Sequence, residues 1–203
     1  IHNQLLAKEW QPTTDGVNFA AIVCEVDKHL ADDATITSDA GNFGSFVHRY
    51  IGFRQSQVFL SSIVGAMGSG MPMAVAAAMR RPGTQVVCFI GDGGALMMGN
   101  ELATAIQYGA APIMIISDNA MYGTIGMHSY VRYPDRAFLD GTRLTNPDFA
   151  AWARTFGAEG ITISDHSEVA DAIASAFAVK TRPVVVHCKT SAVQMSAWRR
   201  YTN

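Results

Sequence analysis

The chain has 203 residues, of which 49% are hydrophobic and 16% charged, with a formal net charge of −2. That composition suits one domain with a sizeable core and excludes a disordered or fibrous chain. Neither sign of charge dominates and Lys and Arg form no stripe, which excludes the long-range field of a nucleic-acid binder and favours a small, mostly buried ligand.

The three cysteines, Cys24, Cys88 and Cys188, are odd in number and sit inside apolar runs, as reduced core residues do. No apolar run approaches the roughly 20 residues that span a bilayer, and no signal-type start is present. The expected compartment is the cytoplasm, with no membrane and no nucleic acid as partner. The sequence opens on Ile1 rather than Met, so it is expected to be a piece of a longer polypeptide.

In chain order, apolar residues at helical spacing over 18–30 precede a short apolar strand, 34–37. A second strand, 57–61, leads through Gly65, Gly68 and Gly70 into an Ala-rich helix over 72–80 that Pro82-Gly83 ends. Residues 85–90 form a continuous β-branched run of the kind covered on both faces, broken by Gly91-Asp92-Gly93-Gly94. A helix over 100–108 places Leu102, Ala105 and Ile106 on one stripe, and 113–116 is the next buried strand. Residues 118–143 lack periodicity and read as a long loop or short helix at the functional edge. Asn146 can cap a helix with Pro147 in its first turn and Gly157 at its end. A strand over 161–163, a capping box of Asp165 and Glu168 opening a helix to Phe177, and a strand over 183–188 complete the series. The fold class is α/β: a doubly wound, mainly parallel six-stranded sheet with helices on both faces.

Ligands of such sheets bind at the carboxyl ends of strands, where Asp92 and Asn119 fall. Gly91 and Gly93 let the backbone approach anionic oxygens, yet Asp92 has the wrong charge for a phosphate unless a cation lies between. A carboxylate, an Asn carbonyl and backbone carbonyls are hard oxygen ligands suited to magnesium bridging a diphosphate. With this pairing, Gly91-Asp92-Gly93 and the later Asp118-Asn119-Ala120-Met121-Tyr122-Gly123 resemble the signature of thiamine-diphosphate-dependent enzymes, which opens on GDG and usually closes on paired Asn. Asp118 departs from the first of those. Gly65-Ala66-Met67-Gly68-Ser69-Gly70-Met71-Pro72 is similar to the segment supporting the bent cofactor in acetolactate-synthase-like members.

The resemblance spans about residues 17–190 and implies a single thiamine-diphosphate-binding domain over 1–203, with 1–16 a linker and 191–203 a tail, forming the C-terminal module of a larger enzyme. It implies Asp92, Asn119 and the Met121 carbonyl as magnesium ligands and Met67 as the apolar prop. It implies Asn42, Phe43, Gly65, Gly91, Gly93, Gly94, Ala95, Tyr122, Gly123 and Thr124 as further cofactor contacts. It also implies a pyrimidine-binding domain, of the same or a neighbouring subunit, that supplies an activating glutamate. Glu9, Glu25, Glu101, Glu159 and Glu168 are all expected not to serve, so no catalytic residue is expected in this chain, and a homodimer or homotetramer is.

The function so implied is decarboxylation of a 2-oxo acid followed by carboligation, as in acetolactate synthases. The loop after Asn119 lacks the tryptophan of the biosynthetic synthases, and its Tyr122-Gly123 pair also occurs in decarboxylases of the benzoylformate type, so simple decarboxylation is the second reading. A non-catalytic cofactor-binding or assembly module is the third. A nicotinamide-binding domain would need Gly-x-Gly-x-x-Gly, which Gly91-Asp92-Gly93-Gly94 does not supply. Gly-Asp-Gly alone is ordinary turn chemistry and Met67 alone ordinary core; their context sets them apart. His128, Arg132 and Arg136 read as loop surface, and His2, His29, His48, His166 and His187 share no metal-ligand spacing. Trp198-Arg199-Arg200 reads as a frayed end.

Overall fold

In the computed structural model, six strands form one all-parallel sheet in the order β2-β1-β3-β4-β6-β5. Residues 6–7, 9–133, 135 and 140–201 are described; His2 and Arg136 lie outside them. The strands are β1 Thr35–Ser38, β2 Val58–Ser61, β3 Val86–Gly91, β4 Ile113–Asp118, β5 Glu159–Ile163 and β6 Val184–Lys189. Among the described residues the α-helices are α1 Phe19–His29, α2 Gly44–Tyr50, α3 Gly70–Arg80, α4 Asp92–Met98, α5 Glu101–Gln107, α6 Gly123–Arg132, α7 Phe149–Thr155 and α8 Val169–Ala178.

The period-two alternation of strand side chains divides the core into two layers. Val87 and Phe89 of β3, Ile113 and Ile115 of β4, and Val184 and Val186 of β6 pack with α1, α2 and α8. Their neighbours Cys88 and Ile90, Met114 and Ile116, and Val185 pack on the other face with α3, α5 and α7. Because both faces are covered, the central strands read as unbroken apolar runs. Asn18 caps α1, its side chain accepting from Ala20 N–H at 3.0 Å, and Asp165 with Glu168 forms the expected capping box.

Several expectations give way. Residues 92–98 are helical from the residue after β3. Glycine costs about 1 kcal/mol per helical position, but here packing overrides propensity, because a Cβ on Gly94 would stand 2.1 Å from Asp39 Oδ2. Residues 44–50 also form a helix, α2, that buries Phe46, Val47 and Tyr50. Ile106 is a third exposed rather than aligned with buried Leu102 and Ala105.

The cap of α7 is Asp148, which accepts from Ala150 and Ala151 N–H at 3.0 Å, not Asn146. A carboxylate accepts two amides where the Asn146 side chain is turned elsewhere. The end of the chain is not frayed over its described part. Asp15 accepts from Ser191 Oγ at 2.6 Å and Val193 N–H at 3.0 Å, Ala197 N–H donates to Ser45 Oγ at 2.9 Å, and Arg49 stacks on Trp198.

Candidate functional site

The chain leaves β1 toward β2 on one side and returns to β3 on the other, so the carboxyl ends of β1 and β3 flank a topological switch point, where open α/β sheets form their ligand crevice. A cleft of about 220 Å³ lies there. It is lined by Asn42, Phe43, Gly65, Met67, Gly91, Asp92, Gly93, Gly94, Asn119, Met121, Tyr122, Gly123 and Thr124. Ala95 is the exception among the expected contacts: its side chain is 1% exposed and packs into the core below α4. Being one residue further along a helix turns it away from the crevice.

The β3–β4 register sets Gly91 opposite Ser117, so Asp92 and Asp118 follow side by side. Asp92 is 3% exposed. Its Oδ1 accepts from its neighbour Gly93 N–H at 2.9 Å and its Oδ2 from Asn146 Nδ2 at 2.8 Å. Burial, with the adjacent Asp118 adding to it, pushes the Asp92 carboxyl up to about 7 against the donors that oppose the shift. Burial would raise Asp118 as well, but hydrogen bonds from His187, Asn146 and the Ala120 N–H hold it below the ordinary carboxylate value. His187 Nε2 is 2.7 Å from Asp118 Oδ2 and its ring is fully buried. The β4–β6 register sets His187 beside Ile116, and its side chain reaches past Ser117 to the strand end.

Beyond β4 the chain turns at Ala120 with φ 56°. Tyr122 N–H then donates to Thr142 O, and Leu144 N–H to Ala120 O, both at 2.8 Å, which anchors the loop from both sides. The Met121 carbonyl accepts no backbone hydrogen bond among the described residues. The Asn119 amide packs on Gly123, where a Cβ would lie 2.9 Å from Nδ2. Tyr122 and Met67 meet over Gly93, whose Cβ would be 2.6 Å from the Tyr122 ring and 3.1 Å from Met67 Cε. Asn42 and Thr124 satisfy one another: Asn42 N–H donates to Thr124 Oγ1, which donates to Asn42 Oδ1, each at 3.1 Å. The Phe43 ring lies under Gly91.

Sequence reasoning missed four contributors. Asp39 follows β1 directly and accepts from Gly68 N–H at 2.8 Å and from Ser69 N–H and Oγ at 3.2 and 3.3 Å, so it holds the segment that carries Met67. Asn146 and His187 bind the Asp92–Asp118 pair. The terminal segment brings Gln194 and Met195 into the cleft wall. Asp118, an acid where the motif has an amide, was the signal that a nearby donor had to exist. None of the five glutamates lines the cleft. His128 and Arg132 are exposed on α6 and also lie outside its lining.

The donor set fits a metal-bridged anionic ligand. Among the described residues no three His, Cys, Asp or Glu side chains could enclose a metal. One buried carboxylate, one amide and one carbonyl instead leave most positions of an oxygen-loving cation to ligand oxygens. A buried carboxyl raised to about 7 is also a group that a cation relieves.

A parallel, doubly wound sheet with a glycine-lined, oxygen-bearing crevice at its switch point defines a domain of the diphosphate-binding kind. The family model described as the thiamine pyrophosphate enzyme C-terminal TPP-binding domain matches residues 39–188, and the chain belongs to that family. The putative thiamine pyrophosphate-containing protein YdaP of Bacillus subtilis is 31% identical over 91% of this chain and 31% of its own length. The acetolactate synthase large subunit of Parasynechococcus marenigrum is 32% identical over 81% of this chain and 27% of its own. Such relatives place the chain among acetolactate-synthase-like TPP-binding domains, and it spans about a third of their length or less. The thiamine diphosphate-dependent 4-hydroxybenzoylformate decarboxylase of Rhodococcus jostii shares the fold. Its TM-score is 0.80 at 23% identity, over 92% of this chain and 35% of that one.

Proposed function

We propose that this chain is the diphosphate- and magnesium-binding module of an enzyme that decarboxylates a 2-oxo acid and joins the product to a second carbonyl. The observation that carries this reading is the convergence of Asp92 and Asn119, from the ends of adjacent strands, on one cleft with Met67. Asp92, Asn119 and the Met121 carbonyl would hold the magnesium ion, and Gly91, Gly93 and Gly94 keep side chains away from the diphosphate. Thiamine diphosphate, when bound, supplies the nucleophilic and electron-accepting chemistry that a 2-oxo acid needs to lose carbon dioxide. Met67 presents an apolar surface that positions the ligand, while Phe19, Phe46, Ile125 and Met195 line the remainder and exclude water.

A partner completes the site. Ile63 and Val64 are almost fully exposed, and Leu96 and Met97 about half exposed, close to the segment that carries Met67. Apolar surface of this kind beside a cleft supports docking of a pyrimidine-binding domain and assembly as a dimer or tetramer. Three unpaired cysteines, two of them buried, support a reducing compartment, the cytoplasm.

Replacing Asp92 by Ala in the full-length protein should abolish magnesium-dependent binding of thiamine diphosphate; unchanged affinity on adding magnesium would sink the ligand assignment. Product analysis with a panel of 2-oxo acids tests the reaction. Acyloin or acetohydroxy acid supports carboligation, whereas free aldehyde alone assigns the simple decarboxylase, and no turnover by the full-length protein assigns a binding module.

A further inference from the structure

We propose that Asn146 is a positioning residue of the metal site, the donor that fixes the Asp92 carboxylate beside a second acid, Asp118. The proposal rests on the reading of Asp92 as a metal ligand.

The strand register sets two buried carboxylates next to each other, and an ionised carboxylate is an acceptor only. With both ionised, as a bound cation requires, neither can hold the other. Asn146 Nδ2 reaches both, at 2.8 Å from Asp92 Oδ2 and 2.7 Å from Asp118 Oδ1, so that its two amide hydrogens serve one acid each. Its Oδ1 is buried without a hydrogen-bond partner among the described residues, so the amide's orientation comes from the two acids alone.

Asp118 is a rigid reference for this bridge. Its Oδ2 is held by His187 Nε2 at 2.7 Å from β6, and its Oδ1 also accepts from Ala120 N–H at 3.0 Å. Asn146 is itself restrained. The Leu144 N–H bonds Ala120 O before it, and Asp148 caps α7 after it. The amide therefore transmits the placement of β4 and β6 to a carboxylate that begins α4. An amide in place of the Asp118 carboxylate would set an N–H donor among donors and remove the anion that orients Asn146, so the contribution of Asn146 depends on Asp118.

This dependence can be measured without turnover. Magnesium is titrated calorimetrically into the full-length protein at saturating thiamine diphosphate, for the wild type, Asn146→Leu, Asp118→Asn and the double variant. Asn146→Leu should weaken magnesium binding about 10- to 100-fold, the range seen when the group orienting a ligand is lost. The double variant should bind within about threefold of Asp118→Asn, because Asn146 acts through its bridge to Asp118 and has little left to contribute once that acceptor is gone. A purely structural defect at position 146 would add in full to the change at position 118. Asn146→Ala serves the same series should the leucine variant not fold. Affinity of Asn146→Leu or Asn146→Ala within about twofold of wild type, or a double variant weaker than Asp118→Asn by the full factor of the Asn146 single variant, overturns the proposal. Asp92→Ala in the same assay separates the failures. If it abolishes magnesium binding while the Asn146 variants bind within about twofold of wild type, the ligand reading stands and this inference falls; if it binds normally, both fall.

Discussion

Asp92 carries opposing consequences for stability and for binding. Its carboxyl is raised from an ordinary 3.8 to about 7, so between those values the native chain holds a proton that the unfolded chain has lost. Stability from this residue is thus complete at low pH and lost as pH rises through about 7. Asp118 is shifted the other way, and its contribution fades only as pH falls below the ordinary 3.8. In the metal-free chain the melting temperature of Asp92→Asn, taken relative to wild type, should therefore rise between about pH 5 and about pH 7; a constant difference across that window would show that Asp92 is already ionised there. The thiols make a simpler case. Burial pushes Cys88 up to about 12, Cys24 up to about 11, and Cys188 up as well. A thiol-specific disulfide reagent should find little reactivity in the native chain and all three cysteines after denaturation. Prompt labelling of Cys88 or Cys188 in the native state would contradict their place in the core. The site's oxygen ligands were readable from sequence because they lie in one motif at strand ends. Asn146 and His187 were not, because they meet Asp118 across 28 and 69 positions and belong to no local pattern.

At the scale of elements, the central strands and the helices α1, α3, α5 and α8 follow from periodicity, and their ends shift by a residue or two. Helix α6 lies where the sequence reads as a long loop or short helix, and α2 and α4 did not follow, because each has seven residues and carries glycine, and tertiary packing rather than propensity decides it. Close element packing also gives Gly160 its meaning. A Cβ there would lie 2.1 Å from Ala150 O and 2.8 Å from Ala150 C, so β5 and α7 approach too closely for any side chain. Gly160→Ala should destabilise by about 2 kcal/mol or more, lowering the melting temperature by roughly 4–8 °C in a chain of this size. Gly141→Ala, with nothing within 4 Å of its Cβ, is the matched control and should stay within about 0.5 kcal/mol of wild type. Equal effects of the two would refute the packing argument.

At the scale of the molecule, the cleft holds ligating oxygens and apolar walls but no glutamate, so the 203-residue chain by itself should not turn over any 2-oxo acid in the presence of thiamine diphosphate and magnesium. Cofactor-dependent product from that chain would contradict a site completed by a partner. The parallel sheet has a second consequence. Since all strands run one way, the cleft residues gather at one end, while the turns entering β3 and β4 lie at the other, across strands of six residues, or about 20 Å. Gly83 and Gly109 in those turns have no atom within 4 Å of where a Cβ would be. A peptide tag, a reporter domain or new chain termini placed there would leave the crevice undisturbed, making the far end of the sheet the natural grafting point for an engineered version of this domain.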